Sequence, residues 1–340
     1  MTARVAVLGT GANGAGIGAD LVRAGHDVTF IEQWPAHVDA MRARGIHVEM
    51  PDESHTTPVT VHHLCEVAEM REPFDIVFIV VKAYDTRWAS ELIAPLLAPD
   101  GLAIGLQNGM MAEEMAGILG AHRTLGAVIE ITANMFEPGI VDRQSSRAHS
   151  WFALGALDDS TRGREEEAAS ILRAAGTVEI SDDIRSSKWM KLVANAAELV
   201  PSAILDLPLG EAVRMPGMRE FMEKTAHEAV RACLASGGRL MPIFGMTERD
   251  IAEPDDYAVI LLDKVLRDYT MPTTLTTVLQ DWRKGRRGEV EELNGFVVRE
   301  QERLGGSAPC NARVERLARQ IESGARRAGA DNLELLLAGS

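Results

Sequence analysis

The sequence predicts an α/β protein of two domains, a parallel-sheet domain followed by a mostly helical one. Three observations carry that prediction. Short apolar runs alternate with helix-like stretches through the first half, the turn after the first run reads "GTGANG", and from about Asp182 to Gly324 nearly everything has the period of an amphipathic helix. A length of 340 residues exceeds what one core usually encloses, so two domains are expected. With 46% hydrophobic and 25% charged residues, the composition is that of an ordinary soluble globular protein. The formal net charge of -15 repels polyanions and anionic membranes, which argues against nucleic acid or a membrane surface as partner.

Taken in order, Arg4 to Leu8 read as a strand, Gly14 to Ala24 as a helix, Gly25-His26-Asp27 as its stop, and Val28 to Ile31 as a second strand. The β-branched and aromatic run from Ile76 to Val81 has the look of a parallel strand buried on both faces near the sheet centre. Leu102 to Leu106 is another strand, running into Gln107-Asn108-Gly109 and then the helical "AEEMAGILG". From Leu125 to Leu157, strand-like segments broken by Pro138-Gly139 predict a sheet that ends in antiparallel hairpins. A helix after Gly163 and a strand from Val178 to Ile180 precede a boundary at Ser181, giving domains 1–181 and 182–340.

In that strand-turn-helix setting the glycines have separate tasks. Gly9 permits the tight turn, Gly11 lets a pyrophosphate approach the backbone, Gly14 allows close helix–strand packing, and the helix start at Ala12 and Asn13 presents N–H groups to phosphate. A Rossmann-type nucleotide-binding domain is therefore expected. Glu32 stands 18 positions after Gly14, where a carboxylate accepts both ribose hydroxyls of NAD and repels the additional phosphate of NADP. NAD is the expected cofactor, with NADP possible through Arg42 or Arg44.

A first strand close to Met1 and the absence of ~18 uninterrupted apolar residues predict a cytoplasmic protein with no membrane span. Cys65, Cys233 and Cys310 are odd in number and far apart, as expected of reduced thiols. His62-His63-x-Cys65 lacks a second cluster at ligand spacing, so no metal is expected.

The helical half opens with "SSKWMKLVANAAELVPSAILDLP". Lys191 and Asn195 are four apart, hence on one face, in an apolar stretch where polar groups are costly without partners. Lys188 has an equal claim by pattern alone. Further on, the basic patch from Trp282 to Gly288 is followed by Glu289, Glu291 and Glu292, which pattern alone reads as a solvated charge run.

The segments "VLGTGANG", "VKAYDT", "LQNGM", "KLVANAA" and "TTVLQDWRKGRRGEVEELNGF" occur in an order that resembles the ketopantoate reductase family, within the group that includes 6-phosphogluconate dehydrogenases. The resemblance implies that Lys191 is the general acid and that Glu289 holds and polarises it. It implies that Asn108 lies near the nicotinamide ribose and substrate, that Asn195 binds a substrate hydroxyl, that Thr277 stands where a serine often binds the carboxylate, and that Lys82 lies near the adenosine ribose or cofactor phosphates. It also implies a homodimer paired through apolar helical faces.

The sequence departs from that pattern in three places. The arginine after the second strand is replaced by Glu32-Gln33, "GAVIEITANMFEPG" brings in Glu130 as a further substrate residue, and the second asparagine before the helix proline is missing from Glu198-Leu199-Val200-Pro201, apparently with one residue inserted. An asparagine at Val200 is the expected restoration. The sequence is thus read as an NAD-preferring oxidoreductase that interconverts a 2-oxo acid or related carbonyl compound and its hydroxy form, with ketopantoate itself disfavoured. The alternatives are an opine-type C=N reductase, in which Glu130 receives an amine, and a cofactor-binding sensor without turnover.

Overall fold

A computed structural model describes residues 3–252 and 254–338. The chain forms two compact units, Met1–Gln107 with Met111–Ile184, and Asn108–Met110 with Arg185–Ser340. Three residues following a strand of the first unit thus belong to the second.

In the first unit the chain runs β1 (Arg4–Leu8), α1 (Ala12–Arg23), β2 (Asp27–Glu32), α2 (Pro35–Arg44), β3 (Ile46–Glu49), β4 (Ser54–Thr57), β5 (Thr60–His63), β6 (Phe74–Ile79), α3 (Thr86–Ile93), β7 (Leu97–Gly105), α4 (Ala112–Leu119), β8 (Thr124–Glu130), β9 (Ala133–Glu137), β10 (Ile140–Arg143), β11 (Trp151–Ala156), α5 (Glu165–Leu172) and β12 (Thr177–Ile180). Among the described residues the main sheet has the order β12-β11-β8-β7-β6-β1-β2-β5. Its neighbours are parallel except β11 against β8. Alternate residues serve opposite faces: Val5, Val7, Phe30 and Phe78 pack with Ile17 and Leu21 of α1, while Ala6, Leu8, Ile31 and Ile79 pack with Ile93 of α3 and Met115 of α4. This double burial is what makes β1 and β6 continuous apolar runs.

The hairpin expectation is corrected in one respect. Pro138-Gly139 does form the turn between antiparallel β9 and β10, but this hairpin leaves the main sheet and pairs β10 with β3 in a second sheet of order β4-β3-β10-β9. Val48, Met135 and Val141 carry the small sheet onto the core beside α1. Its polar anchor is Arg143 on β10, whose guanidinium pairs with Asp20 of α1 and donates to Ser150 Oγ (2.8 Å) and the Ala175 carbonyl (2.7 Å). Burial raises the Asp20 carboxyl above its usual range while Arg143 pulls it down.

The second unit contains α6 (Ile184–Ile204), α7 (Leu209–Ala212), α8 (Met218–Ala235), α9 (Pro254–Asp268), α10 (Thr277–Arg283), α11 (Asn294–Arg303), α12 (Pro309–Glu322) and α13 (Leu333–Leu337). Helix α8 contacts α9, α11, α12 and α13. Glu228 on α8 accepts the backbone N–H groups of Cys310 and Asn311 (both 2.9 Å), and Asn294 donates to Asn311 Oδ1 (2.9 Å) and the Ala196 carbonyl (2.8 Å). Four helices are thereby tied together by buried polar contacts, which fixes the start of α11 against α6. The three cysteines are free, and burial pushes the Cys310 thiol up to about 11. Among the described residues no helix is long and apolar enough to cross a membrane.

Removing one partner of the buried pair strands the other charge. Asp20→Ala is expected to cost about 3–5 kcal/mol in urea unfolding, with Asp20→Leu/Arg143→Met recovering most of it. A loss below about 1 kcal/mol for the single variant would show that the pair does not anchor the small sheet.

Candidate active site

The turn after β1 is built as a dinucleotide cradle. Gly9 has φ +90°, and a Cβ there would stand 2.8 Å from the Val81 nitrogen; one on Gly14 would stand 2.0 Å from the Gly9 carbonyl oxygen. Those two glycines are demanded by the fold. A Cβ on Gly11 would meet nothing within 4 Å, so packing does not explain that glycine, whereas close approach of a ligand to the backbone does. Helix α1 begins at Ala12, two residues earlier than the sequence predicts, and its first intrahelical bond, Ala15 N–H to the Gly11 carbonyl (2.8 Å), leaves the N–H groups of Ala12 and Asn13 outside that ladder. Asn13 Oδ1 is buried there without a hydrogen-bond partner. The residues present fit a nicotinamide dinucleotide.

Glu32 is placed as expected at the end of β2, but its carboxylate is engaged differently. Oε2 accepts Thr10 N–H (2.7 Å) and Thr10 Oγ–H (2.8 Å), and Oε1 accepts the N–H groups of Gln33 (2.9 Å) and Trp34 (2.8 Å), with Glu32 only 6% exposed. A carboxylate has about four acceptor positions, so this one is filled by the protein itself. The third polar atom of Thr10, its carbonyl, takes the His37 Nε2 proton (2.9 Å), while His37 Nδ1 accepts Gly139 N–H (2.9 Å). Burial holds His37 below the usual imidazole value, against the opposing pull of Glu32. Arg42 is held by Glu66 and the Val61 carbonyl, and Arg44 donates to the Pro138 carbonyl (3.3 Å). Lys82 follows β6 and is half-buried; Glu130 closes β8, buried, in register with Trp151.

The second unit gathers the rest. Asn195 Nδ2 donates to Asn108 Oδ1 (3.0 Å), and Asn108 Nδ2 donates to Glu289 Oε2 (3.2 Å). Glu289 is 2% exposed, so the solvated-run reading fails at that residue and holds for the exposed Arg286 and Arg287. Gly109, at φ +72°, lets the Asn108 segment approach the Glu292 carbonyl, which a Cβ would reach at 3.1 Å. Burial raises the Glu292 carboxyl above its usual range. Lys191 is half-buried one turn before Asn195, with its ammonium 5.1 Å from the centre of the Phe244 ring, within cation–π range. Lys188, the other candidate, is only 4% exposed.

Thr277 opens α10, and its hydroxyl oxygen is buried with no hydrogen-bond partner. The adjacent Thr276 hydroxyl donates to the Leu199 carbonyl (3.0 Å), fixing α10 to α6. The unit therefore carries a half-buried ammonium at Lys191, an oriented amide at Asn108, a buried carboxylate at Glu289 and an unbonded hydroxyl at Thr277.

Two residues of this unit were not singled out from the sequence. Phe244 lies in a segment with no periodic signal and adopts φ +56°, which is rare for a bulky side chain. Glu198, 3% exposed, is seven residues beyond Lys191, and that spacing in an apolar stretch was the available signal.

The sequence profile described as Ketopantoate reductase PanE/ApbA matches residues 5–158, and its C-terminal counterpart matches residues 183–322. The chain belongs to the ketopantoate reductase family. Similar proteins include the 2-dehydropantoate 2-reductase of Archaeoglobus fulgidus, 30% identical over 94% of this chain and 98% of that protein. A solved ketopantoate reductase from Ralstonia eutropha JMP134 superposes with a TM-score of 0.79 at 29% identity, covering 94% of this chain and 99% of the other. A D-mandelate dehydrogenase solved with NADH and anilino(oxo)acetate shares the fold, with a TM-score of 0.84 at 19% identity over 94% of this chain and 98% of the other. Membership in this family makes the chain an oxidoreductase acting on small keto or hydroxy acids with a nicotinamide cofactor.

The two kinds of glycine are separable by substitution. Gly11→Ala should leave the thermal unfolding midpoint within about 2 °C of the parent and weaken NADH binding at least ~10-fold, as read by nucleotide fluorescence. Gly14→Ala should lose the folded loop as well, because its Cβ meets backbone. Undiminished NADH binding by a folded Gly11→Ala protein would remove the turn from the cofactor site.

Proposed function

We propose that this protein is an NAD-preferring reductase of a 2-oxo acid, in which the first unit binds the cofactor and the second carries the proton donor and substrate ligands. The observation that carries this reading is the hydrogen-bonded chain from Asn195 through the half-buried Asn108 to Glu289, starting one helical turn from Lys191. A bound reduced nicotinamide supplies hydride to the carbonyl carbon. Lys191 gives its proton to the carbonyl oxygen as charge develops there, and recovers it in the reverse reaction. Glu289 orients that ammonium, while Asn108 is held by its two partners with its amide in a fixed sense. Asn195 faces a substrate hydroxyl, and the unused hydroxyl of Thr277 binds the carboxylate.

The NAD preference is supported by a negative charge at the end of β2 and by the engagement of Arg42 and Arg44 elsewhere. It does not require Glu32 to release its four donors, since charge close to a 2′-phosphate is unfavourable at short range whichever atoms it is bonded to. A panel of 2-oxo acids assayed with both cofactors, followed by the absorbance of the reduced nicotinamide, tests the whole reading. NADH is expected to exceed NADPH in kcat/KM by at least ~10-fold, and equal or better activity with NADPH would overturn the preference.

Lys191→Ala should lower kcat by roughly 10²–10⁴ while leaving the NADH dissociation constant within about threefold, because the phosphate turn lies in the other unit. Loss of NADH binding instead, or an unchanged kcat, would take the proton-donor role away from Lys191. Lys188 is a poor comparison residue for this test, since its burial makes Lys188→Ala a folding variant first.

A further inference from the structure

We propose that Phe244 is a positioning residue for the proton-transfer step: its ring holds the Lys191 ammonium at the place from which the proton is given. The inference rests on the proton-donor reading of Lys191 above and adds the residue through which that lysine is placed.

Ile243 to Met246 form a tight turn closed by the Met246 N–H on the Ile243 carbonyl (2.9 Å). Its two central residues, Phe244 and Gly245, have φ +56° and +71°. Two successive positive φ values mark a turn of the type I′ kind, where glycine, asparagine and aspartate are the usual residues because a Cβ is strained there. Gly245 meets that demand and Phe244 does not. Anchoring the loop does not call for it either, since Met241, Ile243 and Met246 are buried from backbone without positive φ.

What the strained turn settles is the place of the ring. Lys191 Nζ stands over it, 5.1 Å from its centre. The ring is itself held, 1% exposed, with the Tyr269 ring 5.4 Å away between centres and inclined by 51°. Helix α9 supports both partners of this arrangement: Tyr257 donates its hydroxyl proton to the Met241 carbonyl (3.1 Å), and the Tyr269 N–H is bound to the Val265 carbonyl (3.0 Å). A lysine has a flexible four-carbon stem, whereas a proton donor must stay within hydrogen-bond reach of the carbonyl oxygen. A fixed ring beside Nζ narrows the volume that the ammonium explores and favours the reactive geometry. The backbone strain at Phe244 then has a reason, because strained conformations collect where a side chain must be held for chemistry.

The test is a cycle of variants of the full-length protein assayed with NADH and 2-oxopentanoate. Phe244→Leu keeps the position apolar and removes the ring; it should lower kcat about tenfold, with KM and the NADH dissociation constant within about threefold. Placed on Lys191→Ala, the same change should alter the residual kcat by less than about twofold, because a residue that acts through Lys191 has nothing left to position. A residue that only packs the loop would lower both backgrounds alike, and equal losses in the two overturn the proposal. An undiminished kcat in Phe244→Leu beside a defective Lys191→Ala also overturns it, and leaves the proton-donor reading intact. An undiminished kcat in Lys191→Ala removes that reading and the positioning role with it.

A second measurement needs neither turnover nor a Phe244 variant. In the protein labelled with 13C-lysine, the Lys191 ε-methylene signal, identified by its absence from Lys191→Ala, is expected upfield of exposed lysines, because the end of its side chain lies over an aromatic ring. A Lys191 signal among those of exposed lysines overturns the proposal. The upfield signal without reduction of any 2-oxo acid would leave the ring and ammonium paired and remove the carbonyl reading.

Discussion

The arrangement of the second unit turns on a single side-chain amide. Asn108 accepts from Asn195 and donates to Glu289, so a carboxylate that is almost fully buried is tied to a residue whose own amide can point only one way. Gly109 makes this possible by giving the Asn108 segment room against the Glu292 carbonyl. The loop bearing Glu289 is held in turn because Asn294, five residues on, is bound to Ala196 of α6 and to Asn311 of α12. Helix packing and site geometry are consequently one problem in this unit: a change that slides α11 relative to α6 displaces the carboxylate before it exposes any core residue.

The cofactor turn follows a comparable logic in the first unit. All three polar backbone and side-chain atoms of Thr10 are occupied, two by Glu32 and one by His37. The conformation that presents the Gly11 backbone is therefore preorganised by an acid and an imidazole rather than by glycine flexibility alone, and less ordering entropy remains to be lost when a dinucleotide binds. The same bonds give Glu32 two effects at once. It shapes the loop through its oxygens and sets the local sign of charge through its ionisation.

Much of the first unit was legible because its central strands are buried on both faces, so Val5 to Leu8 and Ile76 to Ile79 are apolar without interruption. The hairpin at Pro138-Gly139 was legible as a turn but not as part of a separate sheet, since a turn signal carries no information about which strand lies alongside. Lys191 and Asn195 stood out because burying them has a cost, but the bond from Asn195 to Asn108 joins residues 87 apart in sequence and left no signal in the pattern. Glu32 was found by position and its hydrogen bonds were not, as its most distant donor lies 22 residues earlier. Phe244 left no trace in the pattern because its placement beside Lys191 depends on a left-handed backbone in an irregular segment.

The departure in α6 is best understood through helix geometry rather than through the identity of the residue before Pro201. One residue inserted between Asn195 and the proline, which the resemblance implies, would turn everything beyond it by about 100° relative to Lys191. Val200, nine residues after Lys191, then lies about 180° from it, and it is fully buried on that opposite side. An asparagine at Val200 would therefore not restore a substrate ligand; it would place an amide among apolar neighbours, which corrects the restoration suggested by sequence position alone. Pro201 has no N–H to give to Ala197 and so loosens the helix, and close by the Ser202 hydroxyl donates to the Glu198 carbonyl (2.6 Å) and the Thr276 hydroxyl to the Leu199 carbonyl (3.0 Å). The backbone from Glu198 to Leu199 is thus held by the side chains of Ser202 and Thr276.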